Sequence, residues 1–192
     1  MELDPAWLAP TWFIDSDSTQ SDPASYRAST VATAPSNWCV PKSVLLTAAA
    51  RNRGIPARLG FADVRNHLTS EKLHAQMGTD VFMWHGYSEL LLGDRWFKLS
   101  SAFNIELCER FGVKVLEFDG TDDALMHPFD QAGNRHMEYI RQHGSFDDLP
   151  LDQIQRDFRE FYPGWFDAEP GTDARGASDG DTRGASDDAF AP

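Results

Sequence analysis

The chain has 192 residues, of which 41% are hydrophobic and 12% aromatic, enough to form one domain around a hydrophobic core. Its net charge of −13, from 17 basic and 30 acidic residues, argues against binding to nucleic-acid phosphates, so we expect no nucleic-acid partner. No stretch reaches the roughly 18 apolar residues of a membrane span. The first residues also lack the pattern of a signal peptide, so we expect a cytoplasmic protein with no membrane partner.

The charged residues are unevenly chosen. Asp (21) outnumbers Glu (9), and Arg (13) outnumbers Lys (4). An Asp-rich, Lys-poor surface resembles that of proteins from salt-loving microbes, in which salt screens the self-repulsion of the charge. The alternative is an ordinary acidic protein.

Residues 1–36 are rich in Pro, Ser, Thr and Asp, and we interpret them as an N-terminal segment before a domain over residues 37–168. Within this segment the apolar patch Trp7–Ile14 predicts a short strand, and Asp15–Pro23 predicts a loop. Residues 169–192 carry few apolar side chains and repeat Arg-Gly-Ala-Ser-Asp at 175–179 and 183–187. This composition predicts a disordered acidic tail.

A helix is predicted from Cys39 to about Arg53. Its apolar residues recur at three- and four-residue spacings and are expected to share one face: Val40, Val44, Leu45, Ala48 and Ala49. Asn37 is a candidate N-cap, Pro41 suits the first turn, and Gly54 predicts the end. A strand is predicted over residues 57–62 after the helix.

The next elements follow a β pattern. Residues 81–92 predict a long strand, Gly93 and Asp94 a turn, and residues 95–100 an antiparallel return strand. Helices are predicted over residues 105–112 and 151–161.

Two residues have the chemistry of a nucleophile and its base. A cysteine at a helix N-terminus meets unpaired N–H groups and a positive dipole end, which favour the reactive thiolate and could bind an oxyanion. His85 lies in a predicted strand beside Gly86, where it could accept and return the thiol proton. The alternative for Cys39 is a buried structural thiol, and for His85 an imidazole packed on aromatic neighbours. Cys39 and Cys108 show neither a zinc-ligand spacing nor a Cys-x-x-Cys motif, so we expect no metal site.

The order of these motifs resembles the transglutaminase-like superfamily. The resemblance rests on Asn37-Trp38-Cys39-Val40-Pro41-Lys42, on Gly54-Ile55-Pro56-Ala57-Arg58, on Trp84-His85-Gly86-Tyr87 and on Arg95-Trp96-Phe97. It implies an α+β, papain-like fold in which the cysteine helix packs on an antiparallel sheet. It also implies that Cys39 is the nucleophile and His85 its base.

Two features depart from that family. The family places an Asp after the histidine strand, whereas this chain has Ser100 at the matching position. Ser100 is a weak orienter of an imidazolium because it carries no charge, although it could lie closer to the ring. Asn104 is the preferred candidate, because an amide oxygen accepts from the imidazole N–H as in papain-like enzymes. In addition, only 38 residues precede Cys39, so the N-terminal segment is expected to be shortened.

The resemblance implies acyl transfer through a Cys39 thioester, with a peptide or protein as substrate and without a cofactor. Hydrolysis by a protease or amidase is favoured over cross-linking. The alternative is a catalytically weak or inactive domain that binds a peptide or protein.

Overall fold

The computed structural model describes residues 22–35, 37–67, 74–75 and 77–163. The described elements combine helices with one antiparallel sheet, which is the α+β class predicted from the sequence. In chain order they are a 3₁₀ helix Pro23–Tyr26, α1 Ala28–Val31, α2 Cys39–Asn52, β1 Ala57–Asn66, β2 Val81–Leu92, β3 Arg95–Leu99, α3 Ile105–Arg110, β4 Met137–Phe146 and α4 Leu151–Phe161.

Most of the predicted elements in the described ranges are present. The bounds of β2 and α4 agree with the sequence pattern, β1 extends four residues beyond its predicted end at Ala62, and α3 stops at Arg110. Strand β4 was not predicted. The predicted strand Trp7–Ile14, most of the predicted loop and the acidic tail lie outside the described residues.

The four strands form one antiparallel sheet in the order β3-β2-β1-β4. β2 and β3 form the predicted hairpin, in which Leu90 faces Phe97. Two register shifts interrupt the pairing of β1 with β4, and one interrupts its pairing with β2 between Ala62 and Val64. These bulges bend the centre of the sheet close to His85, which pairs with Ala62.

Helix α2 begins at Cys39, as predicted, but its N-cap differs. Trp38 is the capping residue, with extended backbone and no side-chain hydrogen bond to the helix, so the expectation for Asn37 was wrong. An indole has no oxygen that could accept from the first N–H groups of the helix. Those N–H groups are therefore not capped by the side chain of the N-cap residue.

The face of α2 that is buried also differs from the predicted one. Its buried stripe consists of Val40, Ser43, Thr47 and Ala50, whereas Val44 is half-buried and Ala49 is exposed. Small and hydroxylated side chains on this stripe allow the helix to approach the sheet closely. The hydrophobic periodicity missed this face because two of its four members are polar.

Part of the N-terminal segment packs on the same core as helix α2. Tyr26 is buried and contacts Trp38 edge to face, and Trp38 in turn contacts Phe158 of α4. The largest fully buried side chains in the described residues include Trp84, Tyr87, Tyr162, Phe61, Met137 and Ile154. The core thus joins the 3₁₀ helix, α2, the sheet and α4.

None of the described helices is both long and apolar enough to cross a membrane. Cys39 and Cys108 are both buried and unpaired with each other.

Candidate active site

Cys39 lies where the N-terminus of α2 meets the middle of β2. A methyl group built on Gly86 would lie 2.8 Å from Ser43 Oγ and 3.0 Å from Val40 Cα, so the contact requires glycine. The sulfur of Cys39 is within reach of the backbone N–H groups of Gly86, Val40 and Cys39 itself. The glycine that follows His85 therefore brings the sulfur to the histidine strand.

Hydroxyl groups fasten α2 to β2 below this contact. Thr47 Oγ1 donates to Ser88 Oγ at 3.0 Å, and Ser88 Oγ donates to the carbonyl of Ser43 at 3.0 Å. Ser43 Oγ in turn donates to the carbonyl of Val40 at 2.7 Å. These buried hydrogen bonds fix the position of α2, and with it Cys39, along strand β2.

His85 is fully buried on β2 and faces groups from two other parts of the chain. Ser100 Oγ lies 3.5 Å from its Nε2, at the outer limit of a hydrogen bond, and the ring of Tyr139 on β4 meets it edge to face. Burial lowers the pKa of His85 to about 4. The imidazole is therefore neutral near pH 7 and can accept a proton.

Asn104 has a local role. It is the N-cap of α3: its Oδ1 accepts from the Leu107 N–H at 2.9 Å, and its Nδ2 donates to Glu106 at 3.3 Å. Both polar ends of the amide are thereby engaged within α3. The geometry favours Ser100 over Asn104 as the residue that orients His85, contrary to the preference drawn from side-chain chemistry.

The protonation of Cys39 is governed by its burial. Burial raises the pKa of the thiol to about 11, against the opposing effects of the Gly86 N–H and of the charge on Lys42. The N–H groups at the start of α2 lower the pKa of the thiol, as expected from the sequence, but loss of water on burial raises this pKa by more. Near pH 7 the resting site holds a neutral thiol and a neutral imidazole.

Lys42 is a site residue that the sequence reasoning passed over. Its side chain is buried, and Nζ donates to the carbonyl of Ala102 at 3.1 Å. Burial lowers the pKa of Lys42 to about 8, and the charge of Cys39 opposes this. The one sequence signal that points to Lys42 is its position three residues after Cys39 on the predicted helix, which places both side chains on the same helix face.

The sequence also does not indicate which side chains contact Trp84, the residue before His85. Trp84 has a φ of 56°, in the left-handed region that side chains other than glycine rarely adopt. Its backbone N–H donates to Asp63 Oδ1 at 3.1 Å, its indole stacks on His143 at 4.0 Å, and its Nε1 donates to Asp157 at 2.8 Å. The surroundings thus stabilise a strained backbone immediately before the histidine.

Asp63 and His143 form a buried pair at the bulges. His143 Nε2 lies 2.6 Å from Asp63 Oδ1, and the register shifts of the sheet fall at these two residues. Among the described residues, no group of three or more His, Cys, Asp or Glu side chains could hold a metal ion. The arrangement at Cys39 instead offers a sulfur nucleophile, backbone donors, a neutral imidazole and an ammonium group.

A model of the transglutaminase-like superfamily matches residues 7–101 of the chain. The matched range contains Cys39, His85 and Ser100 and ends before Asn104. No curated protein and no solved structure matches the sequence.

Proposed function

This chain belongs to the transglutaminase-like superfamily, and we propose on that premise that it is an acyl-transfer enzyme with Cys39 as nucleophile and His85 as base. The favoured reaction is hydrolysis of a peptide or carboxamide bond. One observation carries the proposal: the thiol at the start of α2 lies against the backbone of Gly86, next to His85. A structural thiol requires no such approach to a histidine strand.

The first half of the proposed reaction forms a thioester. The Cys39 sulfur attacks the carbonyl carbon, and a ring nitrogen of His85 accepts the thiol proton. The carbonyl oxygen takes the electron pair, and the N–H groups at the start of α2 stabilise this oxyanion. When the tetrahedral intermediate collapses, the carbon–nitrogen bond breaks and the leaving amine takes the proton from His85.

The second half releases the acid. His85 accepts a proton from water, and the water oxygen attacks the thioester carbon. Cleavage of the carbon–sulfur bond frees the carboxylic acid, and the sulfur regains the proton from His85. An amine in place of water would give transfer instead, and hydrolysis is favoured because it requires no second binding site for an acceptor.

The experiment uses two probes of the acyl donor. A library of internally quenched peptides reports peptide-bond cleavage, and benzyloxycarbonyl-Gln-Gly reports release of ammonia from a side-chain carboxamide. Adding hydroxylamine to either reaction distinguishes transfer from hydrolysis, because transfer yields a hydroxamate. The proposal predicts turnover by the wild type and by Cys108→Ala, and none by Cys39→Ala. Equal turnover by the Cys39→Ala variant would overturn it.

A second function is favoured by one specific observation. Ser100 stands where a carboxylate would stabilise an imidazolium, and burial lowers the pKa of His85 to about 4. Transfer of a proton from a thiol of pKa about 11 to such an imidazole is unfavourable in the closed site. The corresponding function is a catalytically weak domain that binds a peptide or protein. It predicts that library peptides bind the chain but are not cleaved.

A further inference from the structure

A buried ammonium group shares the site with the nucleophile. Lys42 follows Cys39 by three positions on α2, a spacing that places two side chains on the same helix face about 5–6 Å apart at Cβ. Lys42 is only 5% exposed, although its position on a helix would let it extend into water elsewhere. Burying an ammonium group costs free energy, so a charged Lys42 side chain at this buried position needs a compensating interaction.

The head of Lys42 reaches the same loop that contacts His85. Its Nζ donates to the carbonyl of Ala102 at 3.1 Å, two residues beyond Ser100, whose hydroxyl lies 3.5 Å from His85 Nε2. The ammonium group thus spans from the cysteine helix to the end of the hairpin. This is the region in which the resemblance places an acidic residue.

We propose that Lys42, rather than a protonated His85, supplies the positive charge that stabilises the Cys39 thiolate. The proposal rests on Cys39 being the nucleophile and adds a residue to its machinery. In the protein without substrate, the state that alkylation reports on, the thiol loses a proton to solvent, the sulfur keeps the electron pair, and Lys42 keeps its three protons. The pair is then neutral overall, whereas an imidazolium would add a second positive charge beside Lys42. During acylation of a bound substrate the acceptor of that proton is His85.

The other titratable groups that act on Cys39 are uncharged near pH 7. They come from three elements: Tyr26 of the 3₁₀ helix, Tyr139 of β4 and Tyr162 after α4. Burial raises the pKa of each of these phenols, which keeps them protonated. His85 faces the site from β2, and burial lowers its pKa to about 4, which keeps it neutral.

The first experiment measures the pH dependence of Cys39 alkylation by iodoacetamide, followed by peptide mapping in a mass spectrometer. Cys108 in the same chain is the internal control. Lys42→Met is expected to slow alkylation of Cys39 at pH 7.5 by about tenfold or more, because loss of the charge raises the thiol pKa by about one unit or more. Lys42→Arg is expected to restore most of the rate, and His85→Gln to change it by less than about threefold.

The opposite ranking would overturn the proposal: a normal rate in Lys42→Met together with a large loss in His85→Gln. A slow Lys42→Arg variant that melts at the wild-type temperature would count against it as well. Alkylation requires no turnover, so these results are independent of whether the peptide and carboxamide probes are cleaved. If the peptide and carboxamide probes are not cleaved, that result counts against the proposed function only. The role of Lys42 is decided by the alkylation rates.

A reciprocal measurement serves if Lys42→Met does not fold. The chain has four lysines, so the ¹³Cε signals of lysine-labelled protein can be assigned by single substitutions. A stabilised thiolate must raise the pKa of Lys42 by the same coupling, since the interaction is mutual. Cys39→Ala is therefore expected to lower the Lys42 pKa, with the signals of Lys98 and Lys114 unchanged. An unchanged Lys42 titration in Cys39→Ala would refute the pairing.

Discussion

Cys39, Lys42 and His85 are each at most 5% exposed, so the charge of each depends on its neighbours more than on bulk water. Burial acts in the same sense on all three: it raises the pKa of the acid and lowers the pKa of both bases. The resting site therefore carries at most the charge of Lys42 near pH 7. In the proposed reaction, substrate binding has to supply the remaining free energy for thiolate formation.

The orienting residue can be tested by three variants. Ser100→Ala is expected to reduce Cys39-dependent activity about two- to fivefold, since Ser100 Oγ is 3.5 Å from the imidazole and makes at best a weak bond. Asn104→Ala is expected to lower the free energy of unfolding by about 1 kcal/mol through loss of a helix cap, with a smaller effect on kcat. Ser100→Asp is expected to raise activity about tenfold by stabilising the imidazolium. A larger loss of kcat in Asn104→Ala than in Ser100→Ala would contradict this ranking.

The buried His85 also predicts how stability depends on pH. In the unfolded chain an imidazole has its ordinary pKa near 6.5, whereas in the fold it is lowered to about 4. Between these values the unfolded state binds the extra proton, so stability is lost as the pH falls from 6.5 to 4. Urea titrations at pH 7 and pH 5 should show a loss about 2 kcal/mol larger for the wild type than for His85→Gln. An equal loss in both proteins would place the acid sensitivity elsewhere.

The positions of individual site residues could be predicted only where they depend on residues nearby in the sequence. Cys39 at a helix start, His85 on a strand and Ser100 at the end of the hairpin follow from neighbouring residues. The burial of Lys42 and the pairing of Asp63 with His143 do not, because they depend on contacts across 60 and 80 positions of the chain. Asn104 was overvalued, because its cap bond to Leu107 competes for the same oxygen.

At the next scale, the site depends on how closely α2 approaches β2. Gly86 removes the side chain that would separate them, and the bonds among Ser43, Thr47 and Ser88 hold the contact. Trp84 lies at the bulge in a left-handed backbone conformation, which changes the direction of the β2 backbone immediately before His85. The helix and the bulged strand together place sulfur and imidazole, and neither element does so alone.

Gly86→Ala tests this approach directly. The added methyl group would meet the backbone of Val40, so we expect a loss of about 1–3 kcal/mol in the free energy of unfolding and an altered alkylation rate of Cys39. Gly54→Ala is the matched control. Its methyl group meets open space but its φ is 76°, so it should cost about 1 kcal/mol or more and leave Cys39 reactivity unchanged. Equal alkylation rates in both variants would show that the close contact does not position the thiol.

The elements differ in how well the sequence predicted them. β2 and α4 have strong periodic patterns and sharp turn residues, and their bounds were correct. β4 was missed because half of its residues are exposed and two bulges break its two-residue alternation. Gly144, with a φ of 96°, interrupts it further. The buried face of α2 was misplaced for a different reason, since Ser43 and Thr47 hydrogen-bond with β2 or their own helix and carry no hydrophobic signal.

For the molecule as a whole, the charge of −13 acts on every element at once. Tyr26 lies in the same hydrophobic core as Cys39 and Val40 of α2, so part of the N-terminal segment folds with that helix. Repulsion among the acidic groups therefore destabilises one continuous unit. Some of the acidic groups have a cationic neighbour: Asp80 and Glu138 both form ion pairs with Arg65. With 30 acidic and 17 basic residues, the net charge of −13 means that at least 13 acidic residues have no basic counterpart.

Salt should therefore stabilise the protein. Raising KCl from about 0.1 M to 1 M shortens the screening length from about 10 Å to about 3 Å, which weakens repulsion among exposed carboxylates. We expect the melting temperature to rise by about 3 °C or more. Sucrose at equal osmolality is the control for general solute exclusion and should give a smaller rise. A melting temperature that falls with KCl would show that attractive ion pairs outweigh the repulsion.

The most direct test of the central claim is acylation of Cys39 by p-nitrophenyl acetate. The reaction requires only a nucleophilic thiol and its base, so it does not depend on the natural substrate. We predict a burst of p-nitrophenolate equal to the enzyme concentration, with the acetyl group on Cys39 in the mass spectrum. His85→Gln should slow the steady-state phase after the burst about 100-fold or more, because the water that releases the acetyl group then lacks its base, and Cys108→Ala should leave both phases unchanged. Acetylation of Cys108 at the same rate as Cys39, or a steady-state rate that is indifferent to His85→Gln, would contradict a Cys39–His85 active site.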